Sequence, residues 1–216
     1  ACSTGEEAYS IAILIMEQMQ KLKRSFPVQI FATDIDPEAI AIARTGVYPP
    51  SISVDISKQR LERYFVKNSD DDTNDDNYRI HKNIRDMLIF STHDVIKDPP
   101  FSNIDLISCR NLLIYMNIEL QKKLISLFHY ALNSNGFLLL GNSETLGELA
   151  TEYSVLDAKS KLFQCDKMVE NTRKSVINQL IPTNKLYAHI QAVKKVTPGV
   201  TLSLRELTQQ AILKQV

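Results

Sequence analysis

Long apolar runs are scarce in this 216-residue sequence. The longest, Ile11–Met16, covers six residues, against the roughly 20 that a bilayer-crossing helix needs. No basic stretch followed by an apolar one opens the chain, so nothing marks it for export and the expected location is the cytoplasm. Cysteine is sparse: Cys2, Cys109 and Cys165 lie far apart with no C-x-x-C pair, which excludes a disulfide framework or a zinc ribbon. The four histidines are scattered without an H-E-x-x-H pattern, so no metal site is expected. Only six glycines occur, and neither a Walker loop nor G-x-G-x-x-G can be written from them. An excess of charge is also lacking. Lys plus Arg (25) equals Asp plus Glu (25), so no global field draws the chain to nucleic acid or an anionic membrane.

What is present is ordinary globular composition, 44% apolar and 23% charged. Ile11, Leu14, Ile15, Met19 and Leu22 form a helical stripe, with Ser3–Glu6 or Thr4–Glu7 offering a capping box at its start. A short β-type run, Val28–Ala32, leads to Asp34 and Asp36. Asp36 reads as the N-cap of a second helix, with Pro37 at its first position and Gly46 as its stop.

Residues 47–90 change character. Pro49-Pro50 breaks the chain, and Ser57 caps a short helix bearing Leu61, Tyr64 and Phe65. Five aspartates fall between Asp70 and Asp76, a solvated loop. Tyr78–His81 and Met87–Phe90 read as antiparallel strands around a turn near Asn83.

The strand–helix rhythm resumes at Ile104–Ser108. A long helix is expected from about Asn117, with Leu120, Leu124, Leu127, Phe128 and Ala131 on one face, ending near Asn135-Gly136. Phe137–Leu140 reads as an interior strand, and Tyr153–Leu156 with Lys161–Cys165 as a final antiparallel pair. The fold class is α/β: a Rossmann-like, mainly parallel sheet with an inserted antiparallel subdomain. Residues 168–200 read as a linker, followed by a terminal helix with Leu204, Leu207, Ile212 and Leu213, capped by Ser203 and Glu206.

In an open α/β sheet, ligands bind at the carboxyl ends of strands, and three polar loops fall there. Ser3-Thr4-Gly5-Glu6-Glu7 opens a helix with two carboxylates, which repel phosphate and suit a cationic or neutral ligand; their alternative role is to serve the helix dipole. Asp34 is placed to accept the two hydrogen bonds of a ribose diol, unless it is simply a solvated loop aspartate. His93-Asp94-Val95 and Cys109-Arg110-Asn111 follow the next two strands; Arg110 could equally be a buried ion-pair partner, and Tyr115 a core residue. Together they point to a nucleoside with a positive substituent and no phosphate, which S-adenosylmethionine (SAM) satisfies.

Four segments in order resemble the CheR family of SAM-dependent methyltransferases, which esterify glutamates of bacterial chemotaxis receptors: Ala1-Cys2-Ser3-Thr4-Gly5-Glu6-Glu7-Ala8-Tyr9-Ser10, Ala32–Asp36, Cys109–Tyr115 and Leu140-Gly141-Asn142-Ser143-Glu144. The resemblance covers residues 1–167, the methyltransferase unit, with 47–90 as the family's antiparallel subdomain. It implies that SAM is the cofactor and S-adenosylhomocysteine (SAH) the product. It makes the Ser3, Gly5 and Glu7 loop a cofactor contact, with Glu7 at the methionine end. Asp34 matches the ribose-binding acid, Asp94 and Val95 the adenine-contacting pair, and Arg110 and Asn111 the pair bordering the cofactor. Tyr115 matches the tyrosine near the sulfur and the acceptor, so Tyr115 and Arg110 are the expected catalytic residues.

Three departures from the family pattern stand out. Ala8 replaces the usual proline, the acidic loop Asp70–Asp76 argues against docking of a receptor-tail peptide, and the family's N-terminal helical domain and central strand would lie upstream of Ala1. Residues 168–216 resemble the junction after the methyltransferase unit in fused sensory proteins, where a methylesterase unit often precedes and a PAS-type domain follows. The expected partner is the cytoplasmic domain of a methyl-accepting chemotaxis receptor. The alternative is a non-catalytic SAM- or SAH-binding regulatory module.

Overall fold

The computed structural model describes residues 1–69 and 76–166. The acidic tract 70–75 and the expected linker and terminal helix of 168–216 lie outside the described residues.

Helix α1 (Glu6–Leu22) leads to strand β1 (Ile30–Asp34) and helix α2 (Pro37–Thr45). The second helix starts and stops where the sequence says: the Asp36 side chain accepts the Glu38 amide at 2.8 Å, Pro37 is the first helical residue, and Gly46 closes it with φ 60°. Strand β2 (Val47–Tyr48) and the short helices α3 (Ile52–Asp55) and α4 (Lys58–Tyr64) follow. Strands β3 (Phe65–Ser69) and β4 (Asp76–Ile80) complete a separate antiparallel sheet of order β2-β4-β3.

Helix α5 (Lys82–Arg85) then returns the chain to β5 (Leu88–Thr92). Here the hairpin expectation fails. β5 does not pair with β4 but runs parallel to β1, Ile30 opposite Leu88 through Asp34 opposite Thr92. The antiparallel sheet therefore closes at Ile80. The physical reason is α5, whose buried Ile84 fills the turn region and separates the two runs. A short apolar strand does not declare its partner.

Strand β6 (Ile104–Cys109), helix α6 (Ile118–Ala131), β7 (Leu132–Leu140), β8 (Tyr153–Asp157) and β9 (Leu162–Cys165) form the second half. Its order is β6-β7-β9-β8, with β6 and β7 parallel and the last two strands antiparallel, as expected. Asn117 caps α6 through the Leu120 amide at 2.9 Å, but the helix stops at Ala131, before the expected Asn133–Gly136 stop; that stretch belongs to β7, where Asn135 takes the left-handed conformation, φ 63°. Among the described residues no ladder joins β1 to β6, the position where the resemblance puts a further strand.

Two apolar clusters build the core. One gathers α1, α2, β1, β5 and the antiparallel sheet around Ile40, Ile80, Ile84 and Phe90. The other packs α6 on β6, β7 and β9 around Leu124, Phe128, Leu138, Leu140 and Phe163. Full burial of each such side chain is worth about 1.5–3 kcal/mol. The stripe expected on α1 is rotated. Ala8, Tyr9, Ala12, Ile13 and Met19 face inward, whereas Leu14 and Leu22 are exposed. The alanines let the helix approach the sheet closely, and the Tyr9 hydroxyl reaches across to the Ala43 carbonyl at 2.8 Å.

Candidate functional site

The carboxyl ends of β1, β5, β6 and β7 carry the sequence-predicted residues. The loop before α1 is bent by Ser3 (φ 48°) and Gly5 (φ 92°). A side chain at Gly5 would meet the Ala43 methyl group at 3.0 Å and the Phe90 ring at 3.1 Å, so the turn requires glycine. Gly5 is itself the N-cap, and no side chain caps α1. The expected capping box does not form; Thr4 Oγ1 instead donates to the Glu6 carboxylate at 2.7 Å.

Glu7, in the first turn of α1, points towards β6. Its Oε1 accepts from Ser108 Oγ at 2.6 Å, and its Oε2 pairs with Arg110 Nη1 at 3.2 Å. Arg110 thus forms an ion pair, but not the buried one that was its alternative: it is exposed, and its partner is the candidate ligand residue Glu7. The first and third predicted loops are brought together by this contact.

Asp34 ends β1. Its Oδ2 accepts the Ser3 amide at 2.8 Å and its Oδ1 the Asp36 amide at 3.0 Å. Partial burial pushes its pKa up, but the N–H groups of Asp36, Ser3 and Ile35 outweigh that and hold the carboxyl below the usual aspartate range. These bonds mean that Asp34 also ties the Ser3 loop to the β1 turn. Each oxygen still has a lone pair, so a diol can be accepted beside the backbone amides.

The loop after β5 begins next to it, with the His93 amide on the Asp34 carbonyl at 2.9 Å. Asp94 Oδ1 accepts the amides of Ile96 at 2.9 Å and Lys97 at 3.2 Å, which lower its pKa and fix the turn. Val95 packs against the second core cluster.

Asn111 is exposed in the left-handed conformation, φ 60°, directly after Arg110. Arg110, Asn111 and Ile114 line a shallow hollow of about 250 Å³ with Gly141, Asn142, Ser143 and Glu144 from the loop after β7. Tyr115 is 82% exposed and lies outside that lining. It makes no side-chain hydrogen bond among the described residues. A larger hollow of about 430 Å³ lies away from these loops, between α1 and α4, where Arg60 is locked bidentate on Glu17 at 2.7 and 2.9 Å.

Sequence reasoning gave no role to Glu144, yet it is 3% exposed. It accepts the Leu113 amide at 2.8 Å and the Gly141 amide at 2.6 Å. Beside it, burial and then the nearby carboxyl groups of Glu144 and Glu7 push the Cys109 thiol up to about 12. Among the described residues no group of three or more His, Cys, Asp or Glu side chains is arranged to hold a metal ion.

Parallel strands flanked by helices, with acidic side chains and no phosphate loop at their carboxyl edge, define a Rossmann-like SAM-dependent methyltransferase fold. Residues 1–162 match the CheR methyltransferase SAM-binding domain, and the chain belongs to that family. A 104.1 kDa protein of Rhodobacter capsulatus is 37% identical over 163 residues, 76% of this chain and 16% of that protein. The chemotaxis protein methyltransferases of Borreliella burgdorferi and Salmonella typhimurium are 33% and 32% identical, over 70% and 72% of this chain. The chain spans about half the length of these two relatives, the match covering 53% of each. A TehB-like SAM-dependent methyltransferase of Corynebacterium glutamicum aligns at 14% identity and TM-score 0.40, over 76% of this chain and 74% of that one.

SAM is the cofactor of this domain family, and the donor set here fits it. Asp34 keeps acceptor capacity that a sugar diol could use, and Glu7 is a half-exposed carboxylate whose charge is shared with Arg110. Among the described residues, no helix is long and apolar enough to cross a membrane.

Proposed function

We propose that the chain is the cofactor-binding part of a protein-glutamate O-methyltransferase acting on the cytoplasmic domain of methyl-accepting chemotaxis receptors. The observation carrying this reading is that the loop before α1 is tied at Ser3 to Asp34, at the carboxyl end of β1, while Glu7 in the first turn of α1 is tied to Ser108 and Arg110, at the carboxyl end of β6, without a phosphate-binding loop. The chemotaxis methyltransferase relatives support the choice of acceptor.

When bound, SAM supplies an electrophilic methyl group. Asp34 would accept the ribose hydroxyls, Glu7 would face the amino-acid end, and Asp94 with Val95 would border the adenine. Ser3 and Gly5 shape the loop that admits the methionine moiety. Arg110 and Asn111 would border the cofactor, and Tyr115 stands at an exposed turn that an acceptor side chain could reach. A glutamate acceptor has an ordinary pKa of about 4.3 and is ionised at neutral pH, so the chain needs no general base. Its contribution is orientation and exclusion of water.

In this reading residues 1–167 form the methyltransferase unit, with its antiparallel insert, and 168–216 join it to further domains. The 104.1 kDa relative, of which the match is 16%, supports placing the unit in a larger protein; fused methylesterase and PAS-type domains are what the resemblance of the tail implies. The exposed, unheld Tyr115 is the feature favouring a second reading, a SAM- or SAH-binding module that signals without turnover. Incubation of the chain with tritiated SAM and a receptor cytoplasmic fragment separates the two. Base-labile label on the receptor is expected; tight nucleoside binding without label would establish the second reading, and no binding would overturn both.

A further inference from the structure

Glu144 is the one buried polar or charged residue among those described, 3% exposed. Burying a carboxyl group is costly unless its oxygens are satisfied. Here each oxygen takes a backbone amide from a different loop: Oε1 that of Leu113, after β6, and Oε2 that of Gly141, after β7. No Lys, Arg or His of the described residues pairs with it, so the group is spent entirely on backbone. Gly141 has to lack a side chain for this to happen, because a Cβ there would lie 2.7 Å from Glu144 Oε2 and 3.0 Å from the Asn111 amide nitrogen.

The turn so held is also gripped from the other side. Gln121 Nε2, on α6, donates to the carbonyls of Leu113 and Met116, both at 3.0 Å. Arg110 begins this turn and reaches Glu7; Tyr115 ends it. We infer that Glu144 is a positioning residue: it pins the Arg110–Tyr115 turn to the β7 loop and so sets Arg110 against Glu7 and the hollow beside it. This rests on the functional reading above, and it assigns the geometry of the acceptor side to a buried carboxyl group whose two oxygens are taken by backbone amides.

Glutamine is the discriminating replacement. It has the same shape, but its amide offers a single oxygen, so one of the two amides would face an NH₂ group. In the full chain, Glu144→Gln and Arg110→Ala are each expected to weaken SAH binding about tenfold by calorimetry, and the double variant by no more than either alone, since coupled sites are non-additive. Losses that multiply to about a hundredfold, or a Glu144→Gln variant that binds like the unmodified chain, would overturn the inference. Amide hydrogen exchange supplies a readout independent of any nucleoside. The Leu113 and Gly141 amides should exchange slowly in the unmodified chain and fast in Glu144→Gln, while those of α6 stay protected. Fast exchange at both in the unmodified chain would refute the pinning. If the chain binds no SAH, the functional reading falls and the exchange result alone decides the inference. If Glu144→Gln does not fold, Glu144→Asp takes its place; failure of both to fold would make Glu144 a folding residue and overturn the proposal.

Discussion

Glu7 and Arg110 stand 103 positions apart in the sequence and form an ion pair at 3.2 Å, with Ser108 holding the other carboxylate oxygen at 2.6 Å. The pair joins the helix that follows one predicted loop to the loop that follows β6. Both side chains are 38% exposed, so solvent screening keeps the pair's contribution to stability within about 1 kcal/mol. Its weight falls on function. Glu7→Ala should lower SAH affinity in calorimetry while moving the thermal unfolding free energy by no more than about 1 kcal/mol.

Asp34 and Asp36 differ in what their loss removes. Asp36→Ala deletes the α2 cap and should cost about 1 kcal/mol of stability with nucleoside binding retained. Asp34→Ala should weaken SAM binding by about 1.5–3 kcal/mol, the value of hydrogen bonds to a charged group. It should also destabilise the chain, because the Ser3 and Asp36 amides lose their acceptor. Denaturant unfolding with and without SAH separates the two terms.

The pH dependence has a definite sign. Asp34 is held below its ordinary range in the folded chain, so folding favours its ionised form. That stabilisation is complete above the unfolded aspartate value of about 3.9 and is lost as pH falls through the lower folded value. Thermal unfolding followed from neutral pH into the acid range should show the unmodified chain losing more stability than Asp34→Asn. Parallel curves would contradict the assignment.

The thiols should label in order of access. Burial pushes the Cys109 thiol up to about 12, and Cys165 is fully buried. Cys2 is half-buried, and its pKa is raised chiefly by that burial. Iodoacetamide at mildly alkaline pH, read by mass spectrometry, should modify Cys2 slowly and leave Cys109 and Cys165 untouched until the chain unfolds.

Gly5→Ala should destabilise by about 1–3 kcal/mol, since it combines a left-handed backbone with overpacking against Ala43 and Phe90. Chemical denaturation of the variant measures this.

Elements whose signals are local could be read from the sequence. Asp36, Pro37 and Gly46 bracket α2, Asn117 caps α6, and the β8–β9 pair follows from two short runs around a turn. What could not be read depends on partners distant in sequence. The pairing of β5 with β1 is decided by α5 and the core, not by the apolar run itself. The inward face of α1 was missed because Ala8 and Ala12 are weak hydrophobic signals yet pack closest to the sheet. At the site, Asp34 and Arg110 were visible as chemistry, but the Ser3 and Glu7 contacts that hold them were not. Glu144 belongs to the Leu140–Glu144 segment that carries the family resemblance, but the segment gives it no role; only its burial and its two backbone amides do.

The central claim is tested most directly by the crystal structure of the full chain with SAH. The account predicts the ribose hydroxyls on the Asp34 carboxylate and the amino-acid end beside Glu7. A nucleoside seated in the hollow between α1 and α4, or anywhere away from these two carboxylates, would contradict it.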